Sequence, residues 1–151
     1  MFLVIVFFVA VAGFLYFTNT FAKASYNGFY TVSCIDSGKK PVRDYSLMIN
    51  ISIMGKDQQI PKDFGHKENN CLNEIYVDNS TGVVNVKTNE FKSFTLGNFF
   101  NVWNKGFNKD EVLGNKVSKE KSLEVYVNGI KVNTYENTPL FPDSRIEIVY
   151  K

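Results

Sequence analysis

The run from Cys71 to Lys87, CLNEIYVDNSTGVVNVK, carries Tyr76, Asp78, Asn79 and Asn85 within a few positions of one another. Ile75 and Val77 alternate with Tyr76 and Asp78, and Val84 and Val86 flank Asn85. That period of two predicts a β-hairpin closed at Asn79-Ser80-Thr81-Gly82, with polar side chains strung along it. Side chains two apart on a strand share a face, which is where a metal site would carry imidazoles, yet the run holds no histidine. The one histidine of the chain, His66, sits in the polar run DFGHKENN and reads as an exposed loop residue. A Cys71–His66 nucleophile pair would need Cys71 as a free thiolate. Cys34 and Cys71 instead fit one disulfide in an oxidising compartment, the alternative being two unrelated buried thiols. Neither has a cysteine or histidine close enough in sequence for a metal-ligand pattern. No Ser-His-Asp spacing, phosphate-binding glycine loop or two-glutamate arrangement stands out. Asn79-Ser80-Thr81 and Asn50-Ile51-Ser52 are glycosylation sequons, and the first, in a turn, is an acceptor if the domain faces outward.

The elements around this hairpin follow from pattern. In SLMINISIMGKDQQIP, Leu47, Ile49, Ile51 and Ile53 share one strand face, Gly55-Lys56-Asp57 supplies a turn, and a second strand runs to Ile60. Leu96, Phe99, Phe100 and Trp103 fall at i, i+3, i+4 and i+7, the apolar stripe of a helix, with Thr95 to cap its start and Gly106 to end it. An aromatic stripe of this kind is a core face. NKDEVLGNKVSKEK reads as a charged loop with a helical turn. Asn128-Gly129 marks a hairpin, and RIEIVYK closes the chain as a strand. The order from Cys71 onward is hairpin, helix, strand, strand, which predicts an α+β domain of β-grasp-like form, a mixed sheet wrapped on one helix.

The length of 151 residues suits one such domain after a short N-terminal segment, and 15% aromatic content supplies its core. A net charge of +2 argues against nucleic acid as a partner. The first 22 residues, MFLVIVFFVAVAGFLYFTNTFA, carry no charged side chain. A helix of that length spans the roughly 30 Å hydrocarbon layer of a bilayer. Residues 1–24 are therefore expected to be a transmembrane signal anchor. The competing reading is a signal peptide cut after Ala24, since Ala22-Lys23-Ala24 has the small-x-small form of a cleavage site. Residues 25–44 read as a linker and 45–151 as the domain. Lys23, Lys39, Lys40 and Arg43 follow the segment and argue for a cytoplasmic domain. The cysteine pair argues for the outside, and the outside is favoured.

The chain resembles an uncharacterised group of prokaryotic membrane-anchored or exported domains. Their pattern runs H-x-H-x-H-L, I-P-x-x-I-G, C-x-x-x-L-H-T-H-D-x-x-G-x-x-H-x-E, F-T-L-G-x-F-F-x-x-W and V-x-V-N-G before a last strand. Here IPKDFG at 60–65, FTLGNFFNVW at 94–103, VYVNG at 125–129 and RIEIVY at 145–150 carry the likeness, over roughly residues 34 to 151. The family pattern implies a metal site, because neutral imidazole is a common ligand for zinc and copper. Laid on this chain without a gap, the paired histidines become Tyr76 and Asp78, the aspartate Asn79, the later histidine Asn85 and the glutamate Lys87. Upstream, the three histidines become Asp44, Ser46 and Met48. Every histidine is replaced while the framework stays, so the resemblance implies a vestigial site, with no metal and no cofactor. A weak calcium site on Asp44 and Asp78 is the remaining metal reading.

The expectation is thus a single-pass protein of the cell membrane, held by the lipid bilayer, with its domain outside the cytoplasm. Its role is expected to be that of an accessory or interaction subunit with a protein partner, not an enzyme. A small-ligand or metal-binding module working through Asp44, Tyr76, Asp78 and Asn85 is the alternative, and an enzyme comes third.

Overall fold

The computed structural model describes residues 30–67, 70–79 and 81–151. The expected anchor at 1–24 and the first part of the expected linker lie outside the described residues. Among those described, no helix is long and apolar enough to cross a membrane.

Among the described residues, twelve strands and one α-helix follow in chain order: β1 Arg43–Ile53, β2 Lys56–Gln58, β3 His66–Lys67, β4 Cys71–Leu72, β5 Ile75–Tyr76, β6 Val83–Thr88, α1 Leu96–Val102, β7 Phe107–Asn108, β8 Glu111–Val112, β9 Asn115–Lys116, β10 Leu123–Val127, β11 Ile130–Val132 and β12 Arg145–Tyr150. The main sheet is mixed and open, in the order β11-β10-β12-β1-β6-β5, with β2 paired to β1. β1 is its spine. Its second half runs parallel to β12, from Met48 opposite Arg145 to Ile53 opposite Tyr150. Its first half runs antiparallel to β6, from Arg43 opposite Thr88 to Met48 opposite Val83. Parallel neighbours need a long crossover, and here the crossover contains α1.

Alternation then sorts the side chains. Leu47, Ile49 and Ile51 of β1, Val84 and Val86 of β6, Val125 of β10, and Ile146 and Ile148 of β12 are buried on one face, where Phe94, Leu96, Phe99 and Phe100 complete the core. Burial of such aromatics carries the largest share of core free energy. The other sheet face is left for Asp44, Ser46, Asn85, Tyr76, Glu147 and their neighbours.

Thr95 caps α1 as expected, and Asn98 reciprocates: its Oδ1 accepts from the Thr95 backbone N–H at 2.9 Å. The helix stops earlier than expected. Asn104, at φ 54°, takes the left-handed position that ends it, a conformation asparagine tolerates, and Gly106 lies beyond. Trp103 is half-buried, edge-on to Phe64 and Phe99 and stacked on Phe100. The second strand ends at Gln58, and Ile60 enters the core from the following loop. The stretch expected as a charged loop with a helical turn is instead the meander β7-β8-β9. Phe107 and Val112 pin it to the core, and Leu113-Gly114, at φ 50° and 81°, turns between its last two strands. Asn128-Gly129, at φ 51° and 78°, turns the hairpin as its sequence requires.

Cys34 and Cys71 are disulfide-bonded. This bond, with Glu74, holds residues 30–42 against the domain. The Glu74 carboxylate is 3% exposed, accepts from the Ser33 N–H at 2.9 Å and the Thr88 hydroxyl at 2.5 Å, and pairs with the Lys92 ammonium at 3.4 Å. A buried carboxylate is tolerable because each oxygen is hydrogen-bonded and a cation stands beside it.

Candidate functional site

Two β pairings build the site. Across β1 and β6, Ser46 faces Asn85, Asp44 faces Lys87, and Met48 faces Val83. Across β6 and β5, Tyr76 faces Asn85. The positions drawn from two distant stretches of sequence therefore meet on the open face of the sheet. The Ser46 hydroxyl donates to Asn85 Oδ1 at 2.8 Å, and Asn85 Nδ2 donates to Asp78 Oδ2 at 3.1 Å. Asp44 pairs with Lys87 at 3.1 Å. Asn79 is the exception. Its side chain accepts from the Thr81 backbone N–H and hydroxyl, which closes the turn and takes it out of the row. It is exposed, as a sequon asparagine must be to be used.

His66 joins them, which the sequence reading missed. Its Nε2 lies 3.5 Å from Asp78 Oδ1, and its ring stands edge-on to Tyr76 with centroids 6.0 Å apart. The cause is Gly65. At φ 84°, its Cα passes so close to β5 that an added Cβ would sit 2.4 Å from the Ile75 carbonyl oxygen and 2.8 Å from Tyr76 Cα. Phe64 O accepts from Val77 N–H at 2.9 Å, and Gly65 O from Asn73 N–H at 2.8 Å. The next residue is thereby set beside Tyr76, and the pairing of β3 with β4, which begins at Cys71, keeps it there. The FG dipeptide ahead of His66 was the available signal, since glycine permits both the left-handed backbone and the close approach.

The electrostatics are those of a wet surface. His66 and Asp78 side chains are 44% and 62% exposed, so their pairing contributes only about 0–1 kcal/mol. Tyr76 is half-buried, and burial, with the nearby Asp78 and Asp44 carboxylates, pushes its phenol above the ordinary tyrosine value against a smaller opposing pull from Lys87. On the same sheet face, the Glu124 carboxylate is held down to about 2 by hydrogen bonds from Lys131, Lys151 and Tyr126. A shallow groove of about 360 Å³ adjoins the row, lined by Ser46, Met48, Val83, Asp143 and Arg145 among others.

Chemistry on this row is limited by its bonding. An amide, Asn85, stands between Asp78 and Ser46. Its amide N–H protons are not acidic and its nitrogen is not basic, so it cannot relay a proton and His66 cannot activate the Ser46 hydroxyl through it. No group of three or more histidine, cysteine, aspartate or glutamate side chains among the described residues is placed to hold a metal. What the row offers is a flat, hydrogen-bonding and partly apolar surface. Cys71, in its disulfide, offers no thiolate to His66. Comparison with protein-family models, with curated proteins and with solved structures finds no match, so the likeness to the histidine-bearing group rests on the quoted motifs alone.

Proposed function

We propose that this chain is a membrane-anchored accessory or interaction subunit. Its β-grasp-like domain stands outside the cytoplasm and docks a protein partner on the open sheet face. One observation carries the reading. Among the described residues, neither helix nor loop is laid over Ser46, Met48 and Asn85 on the face built from β6, β1, β12 and β10, where Ser46 is exposed and the other two are half-buried, although a mixed sheet in a small domain is ordinarily worth covering. The helix and the meander pack on the opposite face. The row combines aromatic, thioether and amide groups with paired charges, the mixture of an interface of moderate polarity. The disulfide supports an extracytoplasmic setting. The match in register between β1 and the hairpin supports descent from a site whose histidines were replaced.

The test is co-purification from native membranes. Parent chain and an Asp78→Lys, Asn85→Lys double variant are recovered under the same mild detergent. A partner held by the parent and released by the double variant is the expected result. Equal recovery from both would move the docking surface elsewhere. The ligand-binding alternative is favoured by one feature, the groove beside Met48 and Arg145. A small molecule retained by the purified domain and lost in Arg145→Ala would bring it forward.

A further inference from the structure

Phe91 is 84% exposed, the highest value for a large apolar side chain among the described residues. Single apolar residues on a surface are ordinary, but this one is held there on both sides. Two positions before it, Asn89 Oδ1 accepts from the Asp36 N–H at 2.9 Å, and Asn89 Nδ2 donates to the Lys39 carbonyl at 3.1 Å. One position after it, the Lys92 ammonium reaches the buried Glu74 carboxylate at 3.4 Å. Val42, 41% exposed, belongs to the same end, since its N–H donates to the Thr88 carbonyl at 2.8 Å. The end where β1 begins and β6 stops thus presents two apolar side chains to solvent from a fixed backbone. Its charges are mostly paired. Asp36 and Asp44 meet Lys39 and Lys87 at 3.2 and 3.1 Å, and Lys92 serves both Glu74 and Glu90 at 3.4 and 3.2 Å. Lys40 and Arg43 are exposed there and form no ion pair among the described residues.

Chain length and charge identify what lies against this end. Residues 1–22 carry no charged side chain, and only seven residues separate them from Tyr30. Seven residues reach no more than about 25 Å when fully extended. The chain joins the domain at the Phe91 end: Ser33, three residues past Tyr30, donates its N–H at 2.9 Å to the same Glu74 that holds Lys92. An 11-residue strand such as β1 is longer than that connection, at about 3.3 Å per residue. An anchored domain therefore cannot stand on the opposite end of β1. Lys23 is the only charged residue in 1–29, so the connection brings no carboxylate to offset Lys40 and Arg43. Exposed apolar side chains beside unpaired cations suit a lipid–water interface, where the first enter the acyl boundary and the second meet anionic headgroups. Resting on the membrane-anchored reading above, we propose that the domain docks on the bilayer surface through this end. Phe91 and Val42 enter the interface, and Lys40 and Arg43 lie among anionic headgroups. Strands β1 and β6 then rise from the membrane and leave the open sheet face free for a protein.

The experiment places a diazirine-bearing residue at position 91 of the full chain, reconstituted into vesicles of phosphatidylcholine and phosphatidylglycerol. A second chain carries it at Met54, 55% exposed and just past the opposite end of β1. Both positions are open to solvent, so neither change disturbs the core. After irradiation, mass spectrometry is expected to find phospholipid adducts at position 91 in at least about tenfold excess over position 54, because interfacial side chains enter only the headgroup and acyl boundary. Adding Lys40→Glu and Arg43→Glu should lower the yield at position 91 at least about threefold. Equal yields at the two positions, a yield indifferent to the charge reversals, or an adduct at position 91 joining two copies of the chain would each overturn the proposal. So would the absence of lipid adducts from a chain that floats with the vesicles, a result that leaves anchoring intact. A chain that fails to float with the vesicles would overturn the anchored reading and this proposal together.

Discussion

At Asp78 two weak attractions meet, an amide at 3.1 Å and an imidazole at 3.5 Å, both in contact with solvent. Water replaces such partners at little cost, so removing Asp78 and Asn85 together should change stability by no more than about 1 kcal/mol. Zinc should not raise the melting temperature of parent or variant, because a ligand stabilises only by preferring the native state. A zinc-dependent rise abolished in the double variant would restore the metal reading. Lys92 and Glu74 are the opposite case. Lys92 is 13% exposed and Glu74 4% at the side chain, so Lys92→Met leaves a carboxylate buried without its cation. That should cost about 3–5 kcal/mol in urea unfolding, with part regained in the Lys92→Met, Glu74→Leu double variant. Glu124 sets an acid dependence. Its carboxyl lies at about 2 in the folded chain against an ordinary 4.5. The lowered value means that its contribution is complete above about pH 4.5 and is lost as pH falls toward 2. Glu124→Gln should therefore flatten the decline in stability across that window, and an unchanged decline would assign it to other carboxylates. At this scale the sequence was least legible. Tyr76, Asp78 and Asn85 stood out by spacing, whereas His66 and Glu74 did not, since their polar partners are 12 to 41 residues away and only the fold brings them together.

The hairpins and the helix show what pattern alone can reach. Strict alternation in β1 and β6, and Asn128-Gly129 between β10 and β11, forced pairings that the sheet adopts, because a register slip of one residue would turn every core side chain to water. The apolar stripe of α1 was equally plain. Its end was not, since Asn104 competes with Gly106 for the left-handed position and sits nearer the last turn. The meander β7-β9 escaped because its strands are two residues long and mostly polar, too short for any period to register. Unequal burial separates the stripe energetically. Phe99 is fully buried and Phe99→Ala should cost about 3–5 kcal/mol. Trp103, half-buried, should cost less on the same substitution. A Trp103→Ala loss equal to or above that of Phe99→Ala would mean that the indole carries more of the core than its exposure indicates.

For the whole molecule, the disulfide and the open sheet face are the two features that extend beyond local packing. The bridge joins residues 37 apart, and reducing it should lower stability by about 4 kcal/mol in the chain-entropy model. A loss well below that would place the clamp on residues 30–42 mainly in Glu74 and its partners. Docking through the open face is the central claim, and it is tested most directly by a photo-crosslinking residue placed at Asn85 in the full chain, within intact membranes. A second chain carries the same residue at Glu136, on the 3-10 turn Tyr135–Asn137 beside the helix. A discrete protein adduct from position 85, with none from position 136, is the expected result. An adduct only from position 136, or none from either in membranes where the chain is abundant and folded, would contradict docking through the open face.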